Sequence, residues 1–303
     1  MAYLSRRIGQ SIVVLLLLTF IVFTIINLSG DPVRLLLPPD ATQEDVQVLR
    51  TAWGLDDPLL LRYGRFLTQL VRLDFGRSLQ LRQPALELVL ERLPTTLTLA
   101  GLSILGATLI GLPAGIFAAT KRGSVGDKVV SSLALLGQST PVFWLGIMGI
   151  LLFAVRLGWL PASGQDTWRH WILPIGTLSI FLAGGIVRIT RTSVLEVISQ
   201  PFVRTARAKG VIPRVVTWKH ILRNASIPIV TQIGLQMRFV MGGSVITESV
   251  FALPGLGRLL VRSVFARDYP IVVAGVFVTA ALLIAVNILI DLSYAKLNPR
   301  VSL

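Results

Sequence analysis

The sequence predicts an all-α, polytopic membrane protein with six transmembrane helices and both termini in the cytoplasm. Three observations carry that expectation. Of 303 residues, 53% are apolar and only 15% are charged, and the mean hydropathy is +0.74, too oily for a soluble chain of this length. Apolar runs recur at the length, about 20 residues, that a helix needs to cross a bilayer core. The net charge of +14 sits in the segments between those runs, which argues for membrane topology and against nucleic acid as the partner.

In chain order the spans are expected at Ile8 to Leu28, Thr95 to Ala119, Val129 to Val155, Trp171 to Thr190, Ile229 to Val250 and Pro270 to Ile290. Arg6 and Arg7 precede the first run in the manner of a signal peptide. The run is long and lacks a small-residue cleavage site, so it reads as a retained helix. Six crossings put both termini on one side. The loops on that side hold fifteen Lys/Arg against three acids, whereas the other side holds thirteen against eleven, and the positive-inside rule makes the terminal side cytoplasmic. The chain then divides into the first transmembrane helix (1–28), an extracytoplasmic helical insertion (29–93) and a core of five further spans with cytoplasmic helices (94–303, the latter about 199–226).

Within the insertion, Thr42 precedes an amphipathic run from Gln43 to Trp53 with Asp45 in its first turn and Gly54 as a stop. A second helix is expected from Pro58 to Leu73, where Leu60, Leu61, Tyr63, Phe66, Leu67, Leu70 and Val71 recur at helical spacing. Small residues in the spans, Gly111 and Gly115, Gly184 and Gly185, Gly242 and Gly243, mark places where helices approach closely. Pro113 and Pro141 can bend theirs.

Composition excludes much chemistry. With no cysteine there is no disulfide, thiolate metal site or cysteine nucleophile. His170 and His220 are far apart and lack companions at ligand spacing, so neither metal nor cofactor is expected. No carboxylate pair or Ser/His or Ser/Lys arrangement lies in the spans, which disfavours an intramembrane enzyme. Glu248 is the one acid well inside a span, too little for ion coupling in a gradient-driven secondary transporter.

The functional signal lies between the fourth and fifth spans. Val203 to Pro228 carries Arg204, Arg207, Lys209, Arg214, Lys219 and Arg223 and no acid. Pro201 suits a first helical turn, Gly210 permits a break, and Pro213 can begin a second helix with Val215, Val216, Trp218, Ile221 and Leu222 on its apolar face, before Pro228 introduces the fifth span. A helix, a glycine turn and a helix on one membrane face make a platform for another protein. Two charges fall inside the fifth span. Arg238, about 13 Å along it at 1.5 Å per residue, costs at least ~2.5 kcal/mol if it faces lipid and so should face a passage or a partner's acid. Glu248, near the outer end, could serve an outer gate with the loop from Phe251 to Arg258.

Thr205-Ala206-Arg207-Ala208-Lys209-Gly210, followed by His220-Ile221-Leu222-Arg223-Asn224-Ala225, resembles the coupling-helix signature of membrane subunits of binding-protein-dependent ABC importers. The general signature has Glu-Ala-Ala where Arg204, Thr205 and Ala206 stand, and Ile-x-Leu-Pro where His220 to Arg223 stand. Those departures are similar to the oligopeptide, dipeptide, glutathione and nickel branch. The resemblance extends through Gly30-Asp31-Pro32, Gly54-Leu55-Asp56, Asp74-Phe75-Gly76-Arg77-Ser78, Arg92-Leu93-Pro94 and Gly158-Trp159-Leu160-Pro161. It continues in Phe251-Ala252-Leu253-Pro254-Gly255-Leu256-Gly257-Arg258, Arg267-Asp268-Tyr269-Pro270, and Asp291-Leu292 through Asn298-Pro299-Arg300.

The resemblance implies a type I ABC importer permease fold in a bacterial inner membrane and a complex with several partners. These are a homologous second permease subunit, two cytoplasmic ATPases and an extracytoplasmic solute-binding protein. It implies no cofactor, and ATP hydrolysis on the partners; this chain carries no Gly-x-x-x-x-Gly-Lys-Ser/Thr loop. Arg204, Thr205, Ala206, Arg207, Ala208, Lys209 and Gly210 would be the coupling contacts, with Val203, Ala206 and Val211 as apolar anchors in an ATPase groove and the cations at its rim or on anionic lipid. Peptides are the expected solute; nickel chelates, glutathione, opines and sugars are alternatives.

Overall fold

The computed structural model describes residues 2–28, 42–52 and 56–297. The motif Gly30-Asp31-Pro32, the expected helix stop at Gly54 and the Asn298-Pro299-Arg300 motif lie outside the described residues. Among those residues the chain is helical apart from turns and one bridge between Arg77 and Pro84. The helices are α1 (Ala2–Leu28), α2 (Gln43–Ala52), α3 (Leu59–Val71), α4 (Ala85–Thr120), α5 (Val125–Ser139), α6 (Val142–Gly149) and α7 (Arg169–Ile198). They continue with α8 (Pro201–Ala208), α9 (Pro213–Val215), α10 (Leu222–Val250), α11 (Leu256–Phe265) and α12 (Tyr269–Leu297). Helices α4, α7 and the Tyr269–Ile290 part of α12 are each long and apolar enough to cross a membrane unbroken. Two bent pairs, Val125–Ser139 with Val142–Arg156 and Pro213–Val240 with Ser244–Val250, could each supply one more, and α1 holds a shorter apolar stretch, Gly9–Ile25.

The chain forms two compact units. The first comprises residues 1–94 and 259–284. Here α1 and α3 pack through aromatic rings, Phe20 on Tyr63 at 5.0 Å and Phe23 on Phe66 at 5.5 Å, while Thr19 and Tyr63 both donate to Leu16 O. Ile12, Val13, Leu17, Ile21 and Ile25 remain exposed along α1, as side chains that meet lipid tails should. Thr42 and Asp45 form a capping box at the expected start of α2. The Asp45 amide donates to Thr42 Oγ1 at 3.2 Å and the Thr42 amide donates back to Asp45 Oδ2 at 2.9 Å. The Thr42 hydroxyl, which donates to Asp45 Oδ2 at 2.7 Å, and after it the Thr42 amide hold the Asp45 carboxyl below its ordinary value.

After α3 the chain reverses at Leu73, whose φ is +56°, with the Asp74 amide reaching Gln69 O and the Leu73 amide reaching Leu70 O in a Schellman stop. Two motifs far apart in sequence then meet. Asp268, 2% exposed, accepts from the Ser78 hydroxyl and from the amides of Leu79 and Gln80. A buried carboxylate demands such donors, which explains why Asp74-Phe75-Gly76-Arg77-Ser78 and Arg267-Asp268-Tyr269-Pro270 occur together.

The second unit comprises residues 95–258 and 285–303. Helix α7 is its centre: Leu178, Leu182, Ile186 and Val194 are essentially fully buried. The small residues anticipated in α4 let it approach α7. A methyl on Gly111 would lie 2.9 Å from Ile186 Cβ, and one on Gly115 would lie 2.6 Å from Thr190 Cβ, contacts no real side chain tolerates. The span expected from Val129 to Val155 is broken. α5 ends at Ser139 and the chain turns by 101° into α6 and a π-helical turn, Ile150–Arg156. Pro141 is the cause: it forces Thr140 out of the helical region, to φ −81° and ψ 130°, and offers no amide to continue the ladder. The opposite happens at Pro228, where the expected helix start is corrected. α9, a π-helical turn (Val216–Ile221) and α10 follow one another without a break, and Pro228 lies inside α10.

Candidate functional site

Helix α8 begins with Pro201 and stops at a Schellman motif centred on Gly210. The Val211 amide donates to Ala206 O at 3.2 Å, the Gly210 amide donates to Arg207 O at 2.9 Å, and Gly210 has φ +75°. The helix-break-helix arrangement expected here is therefore present, with the second helix merging into α10. The expected anchors are corrected. Val203 is fully buried inside this chain, in a cluster with Ala119, Val194, Val216, Ile221, Ala225 and Ile229, and Ala206 and Val211 pack against that cluster. A short amphipathic helix on a membrane protein buries its apolar side on the nearest apolar surface, and here that surface belongs to the chain itself.

What the platform leaves open is a different set. Phe202, Ile212, Val215 and Trp218 are exposed apolar side chains, at 42%, 66%, 40% and 56%, interleaved with the exposed cations Arg204, Arg207, Lys209, Arg214 and Lys219. Thr205, Ala208 and Gly210 are exposed with them, and Arg214, Val215, Trp218 and Lys219 line a shallow concavity. A period of 3.6 puts Val215, Val216, Trp218, Ile221 and Leu222 on one apolar face; the π-helical turn from Val216 rephases them, so that Val216 and Ile221 are buried while Val215 and Trp218 are exposed.

Glu248 meets the loop it was expected to join. It is fully buried, accepting from the Thr96 hydroxyl at 2.7 Å and from the Arg258 amide at 3.0 Å, while the Leu256 amide donates to Thr96 Oγ1 at 2.9 Å. Glycine is required at 255 because any Cβ there would overlap the Glu248 carboxylate. The loop leaves α10 through another Schellman stop at Ala252, φ +53°, with the Leu253 amide on Glu248 O at 2.9 Å. Glu248 thus pins the Phe251 to Arg258 loop and presents no surface of its own to a solute. Arg238 is exposed on α10, beside exposed Leu235 and Phe239, and Phe239 stacks on Phe181 of α7 at 5.2 Å. It faces away from its own bundle.

One pair escaped the sequence reading. Asp127, 4% exposed, receives a fork from Arg191, Nε to Oδ1 at 2.7 Å and Nη2 to Oδ2 at 2.9 Å, plus the Gly123 amide at 2.9 Å. The Asp127 amide in turn donates to Ser124 Oγ at 3.2 Å, so the start of α5 is tied to the far part of α7. Ser124-x-x-Asp127 was a readable capping signal; its partner 64 residues away was not.

Residues 111–303 match the family described as binding-protein-dependent transport system inner membrane component, and residues 1–100 match the N-terminal region described for such components. The glutathione transport system permease protein GsiC of Salmonella paratyphi A is 42% identical over 300 residues, covering 99% of this chain and 98% of that protein. GsiC of Escherichia coli K12 is 41% identical over the same length. Among solved structures, an inward-facing MetNI methionine ABC transporter superposes with a TM-score of 0.60 at 22% identity, over 70% of this chain and 96% of that one. An amino acid ABC transporter crystallised with histidines gives 0.52 at 18% identity, over 69% and 94%. Those structures share the fold. The matched family, the near full-length kinship with permeases and the ABC-importer fold together make this chain a member of the binding-protein-dependent transport family, a permease subunit of an ABC importer in the bacterial inner membrane.

Proposed function

We propose that this permease imports glutathione or short peptides, as half of a translocation path completed by a homologous second permease subunit. The observation that carries the solute class is the 42% identity to a glutathione permease along 99% of the chain. Two cytoplasmic ATPases supply the energy and an extracytoplasmic binding protein delivers the solute. Our reading keeps six spans, with the first helix at 1–28, the outer insertion at 29–93, the core at 94–303 and both termini in the cytoplasm; the excess of Lys/Arg in the loops on the terminal side supports it.

The ATPases engage the α8 platform through Arg204, Thr205, Arg207, Ala208, Lys209 and Gly210. Ala206 acts from below by seating the helix on its own core. The exposed apolar residues Phe202, Ile212, Val215 and Trp218 enlarge that contact beyond the cations, which set register and association rate. Arg238 faces the passage and favours solutes bearing a carboxylate, and the Glu248-pinned loop contributes to the outer gate. The test is purification followed by reconstitution. The chain should copurify with ATPase subunits, and proteoliposomes should accumulate labelled glutathione or a tripeptide only with ATP and binding protein. Uptake driven by an ion gradient without ATP would refute the reading.

A further inference from the structure

Gly185 of α7 stands where three helices converge. A methyl group on it would lie 2.7 Å from Gln236 Nε2, 3.0 Å from Gln232 Nε2 and 3.7 Å from Gln138 Nε2. Three carboxamides, one from the end of α5 and two from α10, therefore gather around a residue that has no side chain. Gln138 and Gln232 are half-buried and Gln236 is 9% exposed. Among the described residues, the hydrogen bond these amides make is Gln236 Nε2 to Leu182 O, a long 3.4 Å.

Polar side chains at membrane depth commonly bond one helix to another. Amides serving only that end would be bonded to each other or to backbone, and these largely are not. Gln138 also adjoins the break at Ser139 to Pro141, where α5 gives way to α6 at 101°. Irregular backbone at membrane depth is tolerated where it is packed in protein or lines a water-filled cavity, and discontinuous helices are a recurring way to build transport sites. Unspent hydrogen-bonding capacity and a broken helix at the same place point to one cause.

We propose that Gln138 and Gln232, backed by the buried Gln236, form an uncharged hydrogen-bonding waist on the solute's path, taking the amide groups of a peptide-like solute as it passes. A carboxamide both donates and accepts, matching a peptide bond on each edge. It carries no charge that would trap a passing group, and conduction needs binding weak enough to release. The solute class rests on the peptide reading above; the position on the path does not.

The chain has no cysteine, so Gln138→Cys and Gln232→Cys each introduce a single thiol, with the wild-type complex as control for partner subunits. In the assembled importer a small water-soluble methanethiosulfonate should label both positions, and labelling should lower uptake at least tenfold. Failure of both thiols to react in the nucleotide-free and the vanadate-trapped complex would overturn the position on the path. Gln232→Leu keeps the size and removes the amide. It should lower uptake of labelled glutathione and trialanine at least tenfold while binding-protein-stimulated ATPase stays at the wild-type rate. Unchanged uptake, or uptake and ATPase falling in equal proportion, would overturn the hydrogen-bonding role. Gly185→Ala, whose methyl meets only the mobile ends of these side chains, should fold and show the same split. A wild-type importer that moves neither probe would overturn the peptide reading and with it the solute class, while thiol labelling would still decide the position.

Discussion

Replacing Gly210 isolates the contribution of the helix break to coupling. Gly210 has φ +75°, and beyond its chain neighbours no atom of this chain lies within 4 Å of where its Cβ would sit, so within this chain the effect of a substitution is on the backbone. An L-residue in the left-handed region costs roughly 1–2 kcal/mol, and a β-branched one more. A cost of that size raises the population in which the cap has opened by about 5–30-fold. Opening the cap breaks the bonds from the amides of Val211 and Gly210 to Ala206 and Arg207 and unseats α8 from the cluster around Val203. Gly210→Val should therefore insert and assemble normally, yet lower uptake per ATP hydrolysed in proteoliposomes. Gly210→Ala should be milder and Gly210→Asn milder still, since asparagine tolerates this conformation. A Val variant with wild-type coupling, or a series whose order ignores left-handed preference, would refute the argument.

Three further outcomes follow from other sites. Arg238→Gln should reduce preference for carboxylate-bearing solutes with ATPase stimulation intact; unchanged uptake and preference would remove Arg238 from the passage. Asp127→Asn breaks the fork to Arg191 and should cost about 3 kcal/mol, the lower end for a buried pair, because Arg191 keeps 30% of its side chain in solvent. Thermal unfolding of the purified complex, with Arg191→Gln and the double variant completing a cycle, measures the coupling. The Asp45 carboxyl is lowered mainly by the Thr42 hydroxyl, so its cap contributes above the ordinary carboxylate range and is lost as pH falls through the lowered value. Hydrogen exchange should show α2 losing protection between about pH 5 and pH 3, and Asp45→Asn should abolish that dependence.

Much of the architecture was legible because membrane helices announce themselves locally. Apolar length predicted α4, α7 and α12, and Thr42 with Asp45 predicted the start of α2. Pro141 was recognised as a bend and proved to be a break. The anchors of α8 were misassigned for a different reason. Apolar periodicity identifies a face that must be covered, but not by what, and Val203 is covered by its own chain.

Composition, short-range backbone preference and ordered motifs were enough to reach the membrane class, the helix-break-helix platform at Gly210 and the family. Which residues meet across distance came from the fold: Ser78 with Asp268, Asp127 with Arg191, Glu248 with Thr96 and the loop, and three glutamines around Gly185. The first three share one cause. A buried or membrane-embedded polar group must find partners wherever the fold supplies them, and spacing along the chain carries no record of which residue that is.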